Sequence, residues 1–205
     1  MKRAVDFAVS GIALLVLSPL FVLIGLATIF DSGLPVFYLQ ERVGRGFRRF
    51  RISKFRSMEA NHSGPKITVG GDSRVTRIGK ILRATKMDEL PQFWNVVAGD
   101  MSLVGPRPEI PEYVEMYRAR YEMILTVRPG ITDLASVRFR DEEGVLAEVA
   151  NPMEHYAREI LPRKLDLAEE YVRRRSLTLD AWILMRTVVA VLLIHHRGAE
   201  SAEKA

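Results

Sequence analysis

The sequence predicts a mainly α protein with a short β element, opened by a membrane-entering helix that is broken at Ser18-Pro19 and returns. Three observations carry this reading. Residues 7–30, FAVSGIALLVLSPLFVLIGLATIF, hold no charge. Most later segments place apolar residues at helical spacing. Only VFYLQERV, residues 36–43, reads as a strand.

The apolar run would extend roughly 36 Å as a helix, more than the roughly 30 Å of a bilayer core. It exceeds a signal-peptide core and lacks a small-x-small cleavage site. Within it, Pro19 removes a helical donor, and Ser18 can bond back to its own backbone. By itself this break also fits a kinked spanning helix. The flanks point the other way. Lys2 and Arg3 precede the run, and Arg42, Arg45, Arg48, Arg49, Arg51, Lys54 and Arg56 follow, with no acidic residue from Arg42 through Met58. Positive charge marks the cytoplasmic side, and a re-entrant helix puts both flanks there. The basic stretch also suits anionic headgroups.

The remaining elements follow in order. Gly33-Leu34-Pro35 is a turn, and Asn61 to Asp72 is a polar, glycine-rich stretch expected to form a mobile loop. Arg77 to Thr85 reads as a short basic helix, and Asp88 to Val97 as another with Asp88 as its N-cap. Pro106, Pro108 and Pro111 exclude a continuous helix. Tyr113 to Val127 is amphipathic, with Val114, Tyr117, Tyr121, Ile124 and Leu125 on one face, and Arg128-Pro129-Gly130 ends it. Pro152 to Arg175 is charged and helical, interrupted at Pro162. Leu179 to Ile194 is apolar except for Asp180, Arg186 and Thr187. That is short for a span, so it is expected to lie in the membrane interface, with a core helix as the alternative. The expected boundaries are 1–31 for the membrane helix, 32–197 for the main domain and 198–205 for a disordered tail.

The chain has 205 residues, 48% hydrophobic and 27% charged, which is a globular balance. A net charge of +5 favours anionic partners: phosphorylated substrate, anionic lipid or nucleic acid. With no cysteine, disulfides, thiolate zinc sites and cysteine nucleophiles are excluded. The four histidines, His62, His155, His195 and His196, show no metal-ligand spacing. Phe47, Phe50 and Phe55 alternate with basic residues, which suits a membrane interface or nucleic-acid stacking.

Chemistry concentrates in residues 79–109, GKILRATKMDELPQFWNVVAGDMSLVGPRPE. Asp88 and Glu89 are adjacent carboxylates at an expected helix start, where peptide N–H groups favour the ionised form and can hold a phosphate. An ionised carboxylate can attack phosphorus, although Asp-Glu at a helix start is also ordinary capping. Lys54, Arg56, Arg83, Lys86 and Arg107 surround the pair in sequence, and the arginine fork suits diphosphate oxygens. Two carboxylates facing a diphosphate would repel it, so a divalent ion at Asp88 and Glu89 fits there. No Walker A or G-x-G-x-x-G pattern is present.

These motifs resemble the monotopic phosphoglycosyl transferases, or bacterial sugar transferases, along nearly the whole chain. The resemblance rests on Ser18-Pro19 in the apolar run, P-V-F-Y-L-Q-E-R-V-G (35–44), K-F-R-S-M (54–58) and D-E-L-P-Q-F-W-N-V (88–97). G-D-M-S-L-V-G-P-R-P (99–108), R-P-G-I-T (128–132) and S-L-T-L-D (176–180) complete it. It implies a catalytic domain on the cytoplasmic face of the bacterial inner membrane, with interfacial amphipathic helices. It further implies a UDP-sugar donor, Mg²⁺, an undecaprenyl phosphate acceptor and the start of glycan assembly. By the same resemblance Asp88 is the nucleophile and Glu89 its dyad partner. Lys54, Arg56, Arg83, Arg107 and Arg140 are expected to bind phosphate or organise the dyad. One stretch departs: where the family commonly reads I-T-G-L-A-Q-V-x-G-R, this chain has Asp133, Ser136 and Phe139 in place of Gly, Gln and Gly, and keeps Arg140. The runner-up is a membrane-anchored basic protein that binds anionic lipid or nucleic acid.

Overall fold

The computed structural model describes residues 1–59, 71–139 and 142–203. The expected loop at Asn61–Asp72 falls outside them except for its last two residues. The fold is mainly helical, with two small sheets among the described residues.

The apolar run forms two helices, α1 (Lys2–Val16) and α2 (Ser18–Ser32), bent by 60° at Leu17. Pro19 sits in the first turn of α2, where its missing N–H leaves no ladder bond unmade. The Ser18 hydroxyl donates to the Leu15 carbonyl at 2.8 Å. Ser-Pro therefore starts the second helix as much as it breaks the first. Among the described residues no single helix is long and apolar enough to cross a bilayer, while the bent pair together meets that length and composition. Around the bend Ile12, Leu15, Val16, Val22, Leu23 and Leu26 are all exposed.

Both outer ends of the pair are tied to the same body. Lys2 Nζ donates to Asp180 Oδ2 at 2.6 Å. Arg3 donates to the carbonyls of Val96 and Val97 at 2.6 and 3.1 Å, at a helix C-terminus where a cation is favoured. At the far end, Asp31 Oδ2 accepts the Ile78 N–H at 3.0 Å. Arg56 Nη2 donates to the Ser32 carbonyl and hydroxyl at 2.7 and 2.8 Å.

Next come β1 (Phe37–Val43) and β2 (Arg49–Phe55), paired antiparallel with Phe37 opposite Phe55 and Val43 opposite Arg49. β1 was expected. β2 lies in the basic stretch read as a headgroup-binding flank. Its R-F-R-I pattern alternates, sending Phe50 and Ile52 into one core cluster and Arg49 and Arg51 to solvent, while Phe55, on the opposite face, is buried against α2. Phe50 and Phe55 are core residues, 8% and 1% exposed, which removes them as stacking platforms for bases. Phe47 is half-buried beneath the Arg118 guanidinium.

α3 (Arg77–Ala84) forms as expected, capped by Thr76, whose hydroxyl accepts the Gly79 N–H. A Cβ on Gly79 would meet the Ser57 carbonyl oxygen at 2.0 Å, so glycine lets α3 lie against the end of β2. The helix expected over Asp88–Val97 is instead a 3₁₀ turn, Met87–Glu89, followed by α4 (Gln92–Ala98). Asp88 is not its N-cap. Lys86 precedes the turn at φ 58°, ψ 17°, and this left-handed residue redirects the chain before a regular helix can start. α2 packs beneath the turn: Leu20, Phe21 and Ile24 meet Phe55, Leu82, Met87 and Leu90.

The proline-rich segment is extended, as its prolines require. β3 (Ser102–Val104) pairs in parallel with β4 (Gly130–Thr132). A Cβ on Gly130 would lie 2.1 Å from the Gly105 nitrogen, and this close approach draws Gly105-Pro106 against Arg128-Pro129-Gly130. The amphipathic stretch is two helices, α5 (Pro111–Met116) and α6 (Arg118–Ile124), with Tyr117 at the break. Its apolar face is the expected one: Val114, Tyr121, Ile124 and Leu125 are buried, and Tyr117 packs against them.

α7 (Leu134–Arg138), α8 (Glu142–Ala147) and α9 (Pro152–His155) lead through a π turn at Tyr156–Ile160 into α10 (Leu161–Arg174). The interruption precedes Pro162, which sits in the first turn of α10. α11 (Leu177–Glu203) runs through residues 198–203 of the expected disordered tail; Ala, Glu and Ser in that stretch sustain a helix. One face of α11 is a core face, in line with the alternative reading. Asp180 and Ile183 are buried against β3 and α10, while Trp182, Met185 and Val188 are exposed.

Candidate active site

The turn Met87–Glu89 carries the two carboxylates. Both lie beside Lys54, whose charge acts on each of them. Lys54, near the end of β2, donates to Glu89 Oε1 at 2.8 Å. Arg107, from the extended strap after β3, donates to the same oxygen at 2.6 Å and approaches Oε2 at 3.5 Å. Glu89 is therefore clamped between two cations from separate elements. Asp88 is 6% exposed, and its Oδ1 has no hydrogen-bond partner among the described residues.

The two neighbours titrate in opposite directions. Burial pushes the Asp88 carboxyl above its usual range, against the pull of Lys54, and the Glu89 charge adds to the rise. Burial pushes Glu89 the same way, but Arg107 and then Lys54 outweigh it and hold its carboxyl well below the usual range. Lys54 is lowered, chiefly by burial. Adjacent carboxylates with separated titration are a recognised sign of divided roles. A buried carboxylate oxygen with nothing to bond is costly, and a carboxylate beside cations is chemically able to act as a nucleophile.

The other expected residues fall as follows. Arg83, in the last turn of α3, acts electrostatically on Asp88, as does Lys86. Arg56 is buried, and its Nη2 closes the C-terminus of α2, not the carboxylate pair; its Nε and Nη1 have no partner among the described residues. Arg140 lies outside the described residues. No three His, Cys, Asp or Glu side chains converge among the described residues. A divalent ion at Asp88 and Glu89 would thus take most of its ligands from phosphate oxygens and water, which is the habit of Mg²⁺. Of the pair, the Asp88 carboxylate is the one open to such an ion; the Glu89 oxygens face cations.

Sequence reading missed Asn95 and Asp133. The Asn95 side chain accepts the Ser53 N–H at 3.0 Å and donates to the Arg51 carbonyl at 2.8 Å, fastening α4 to the open edge of β2 next to Lys54. The polar type inside an otherwise apolar F-W-N-V-V run was the available signal. Asp133, noted only as a departure, caps α7 through Ser136 and accepts the Arg107 N–H at 3.1 Å.

The carboxylate pair, with Asp88 buried and Glu89 partly so, thus lies among cations and beside the apolar hairpin, whose α2 packs under the Met87–Glu89 turn. The chain belongs to the bacterial sugar transferase family, whose profile matches residues 1–194. It is 37% identical over 199 residues to the UDP-N-acetylgalactosamine-undecaprenyl-phosphate N-acetylgalactosaminephosphotransferase of Aeromonas hydrophila, covering 94% of this chain and 44% of that protein. It is 37% identical over 196 residues to the UDP-glucose:undecaprenyl-phosphate glucose-1-phosphate transferase of Caulobacter vibrioides, covering 93% and 69%. With the exopolysaccharide production protein PSS of Rhizobium leguminosarum bv. phaseoli it shares 38% over 207 residues, covering 94% and 95%. The chain thus spans less than half of the Aeromonas relative and nearly all of the Rhizobium one.

Proposed function

We propose that this chain transfers a sugar 1-phosphate from a UDP-sugar to undecaprenyl phosphate at the cytoplasmic face of a bacterial inner membrane, the first step of a glycan assembly. The unpartnered, buried Asp88 Oδ1 beside the clamped Glu89 carries the chemical part of this reading. The names of the relatives supply the substrate classes.

In this mechanism the Asp88 carboxylate attacks the sugar-bearing phosphorus of the donor. The bond from that phosphorus to the bridging oxygen breaks, and UMP leaves with the bridging oxygen. An oxygen of undecaprenyl phosphate then attacks the same phosphorus, freeing the Asp88 carboxylate and yielding the lipid diphosphate sugar. Lys54, Lys86 and Arg83 favour the ionised form of Asp88 against its burial and offset charge on the phosphoryl oxygens. Glu89 fixes Lys54 and Arg107 in place. Mg²⁺ would be held by Asp88, with Glu89 adjacent, and would supply charge neutralisation at the diphosphate.

The hairpin supports this membrane placement. The Lys2 end and the Ser32 end are both bonded to the catalytic body, so a membrane entered by the exposed bend has both ends on one side. The exposed face of α11, with Trp182, Met185 and Val188, extends the same kind of surface.

The test is a panel of UDP-sugars incubated with the purified chain and undecaprenyl phosphate, scored for UMP. One donor should release UMP, and donor alone should leave a sugar-phosphate adduct on the intact protein by mass spectrometry. EDTA should stop release and Mg²⁺ restore it. UMP release without any adduct under rapid quench would replace the two-step route with direct transfer.

A further inference from the structure

The strap from Pro106 to Ile110 carries Arg107 to Glu89, and it is held from two sides. On the β1 side, Arg42 Nη1 donates to the Pro108 carbonyl and to Glu109 Oε2, both at 3.3 Å. The Val43 N–H donates to the Glu109 carbonyl at 3.0 Å, and the Tyr156 hydroxyl donates to Glu109 Oε1 at 2.6 Å. On the other side stands Asp133, 4% exposed. Its Oδ2 accepts the Arg107 N–H at 3.1 Å. Its Oδ1 accepts both the N–H and the hydroxyl of Ser136, each at 2.6 Å.

One buried carboxylate thus joins the start of α7 to the backbone atom from which the Arg107 side chain springs. Hydrogen bonds to an ionised acceptor are short and strong. A glycine at this position could make none of them. The departures at residues 133 and 136 from the pattern this chain otherwise resembles are bonded to each other, so they form one device.

We infer that Asp133 is a positioning residue for Arg107: it fixes the strap so that the guanidinium meets Glu89. The inference rests on the transfer reading above. Asp133 touches no reacting atom; it acts through Arg107.

A double-mutant cycle on the full-length chain tests this, with UMP release from the UDP-sugar that the panel identifies and with melting temperature as a second readout. Asp133→Ala should lower kcat about tenfold through misplacement of Arg107, with the donor KM changed less than about threefold. In an Arg107→Ala background, Asp133→Ala should lower kcat no further, although it still lowers the melting temperature through the lost cap. Equal kcat losses in both backgrounds would overturn the positioning role and leave a structural cap only. If Asp133→Ala fails to fold, the isosteric Asp133→Asn decides. Its one carboxamide oxygen cannot serve both Arg107 and the Ser136 N–H, so a smaller loss is expected, again absent beside Arg107→Ala. Wild-type kcat in Arg107→Ala alone would reject the Glu89 clamp itself, and a wild-type chain inactive on every donor would reject the transfer reading; the positioning role falls with either.

Discussion

Two regions of this molecule bury acids beside cations and hydroxyls, and they differ in what is left unbonded. Where α1 meets the body, Asp6 accepts the Ser102 hydroxyl at 2.7 Å and the Leu103 N–H at 3.3 Å. Beside it, Asp180 accepts Lys2 at 2.6 Å and the Tyr171 hydroxyl at 2.7 Å. Each of these buried acids has donors on both of its oxygens or on the groups it was built to meet. At the Met87–Glu89 turn the pattern splits: Glu89 is as fully engaged as Asp180, and its neighbour Asp88 leaves Oδ1 bare. Burial of an acid is therefore common to both regions. Among the described residues the unsatisfied carboxylate oxygen belongs to one, the region proposed to carry the chemistry.

That contrast can be broken most sharply at Asp88. Asp88→Asn should abolish UMP release, by at least about 10³-fold, because no nucleophile replaces the carboxylate. The same variant should melt higher. The folded-state pKa of Asp88 is raised, so at neutral pH its ionised form costs stability, and a neutral amide removes that cost. A lower melting temperature would show that Asp88 is held as a structural acid, like Asp180.

Lys54→Met should cost about 10²-fold in kcat/KM and move the acidic limb of its pH profile upward. The sign follows from the pair: Asp88 must be ionised to react, and its pKa is already raised by burial with Lys54 opposing. Activity therefore falls on acidification above the ordinary aspartate range, and removing Lys54 raises that midpoint further. Glu89, held low by Arg107 as well, remains ionised through this window. An unmoved limb would assign the essential ionisation to another group.

At the other region, Asp6→Ala should reverse the balance of effects. It strands the Ser102 hydroxyl and the Leu103 N–H in a buried place, costing about 1–3 kcal/mol of stability, while kcat per folded molecule stays within about twofold. A large kcat loss at unchanged stability would make the α1 seam part of the catalytic apparatus.

The smallest expected signal is an absence of labelling. With no native cysteine, single cysteines at Lys2→Cys and Arg45→Cys report sidedness without background. Both should resist an impermeant thiol reagent on intact cells, since the seam and the catalytic body share one face. Labelling at position 2 alone would turn the hairpin into a span.

The sequence by itself determined the elements whose cause is local. The uncharged run with its Ser-Pro break, the strand at 36–43, the basic helix at 77–85, the apolar face of 113–127 and the D-E pair among cations were all legible from periodicity, proline placement and motif. β2 was legible too, in the alternation of R-F-R-I, but its charge masked the pattern. Tertiary structure decided what depends on distant partners. Lys54 and Arg107 converge on Glu89 from 35 and 18 residues away, and local spacing carries no record of that meeting. Arg56 closes α2 because that helix ends against β2. Asp88 sits in a 3₁₀ turn and not at a helix cap, because Lys86 takes a left-handed backbone that no composition rule assigns to lysine. Asp133 changed from a departure into a fastener only when α7 was brought against the strap. In each case the deciding term is a long-range hydrogen bond or a buried charge, and its energy exists only once folding has excluded water from around it.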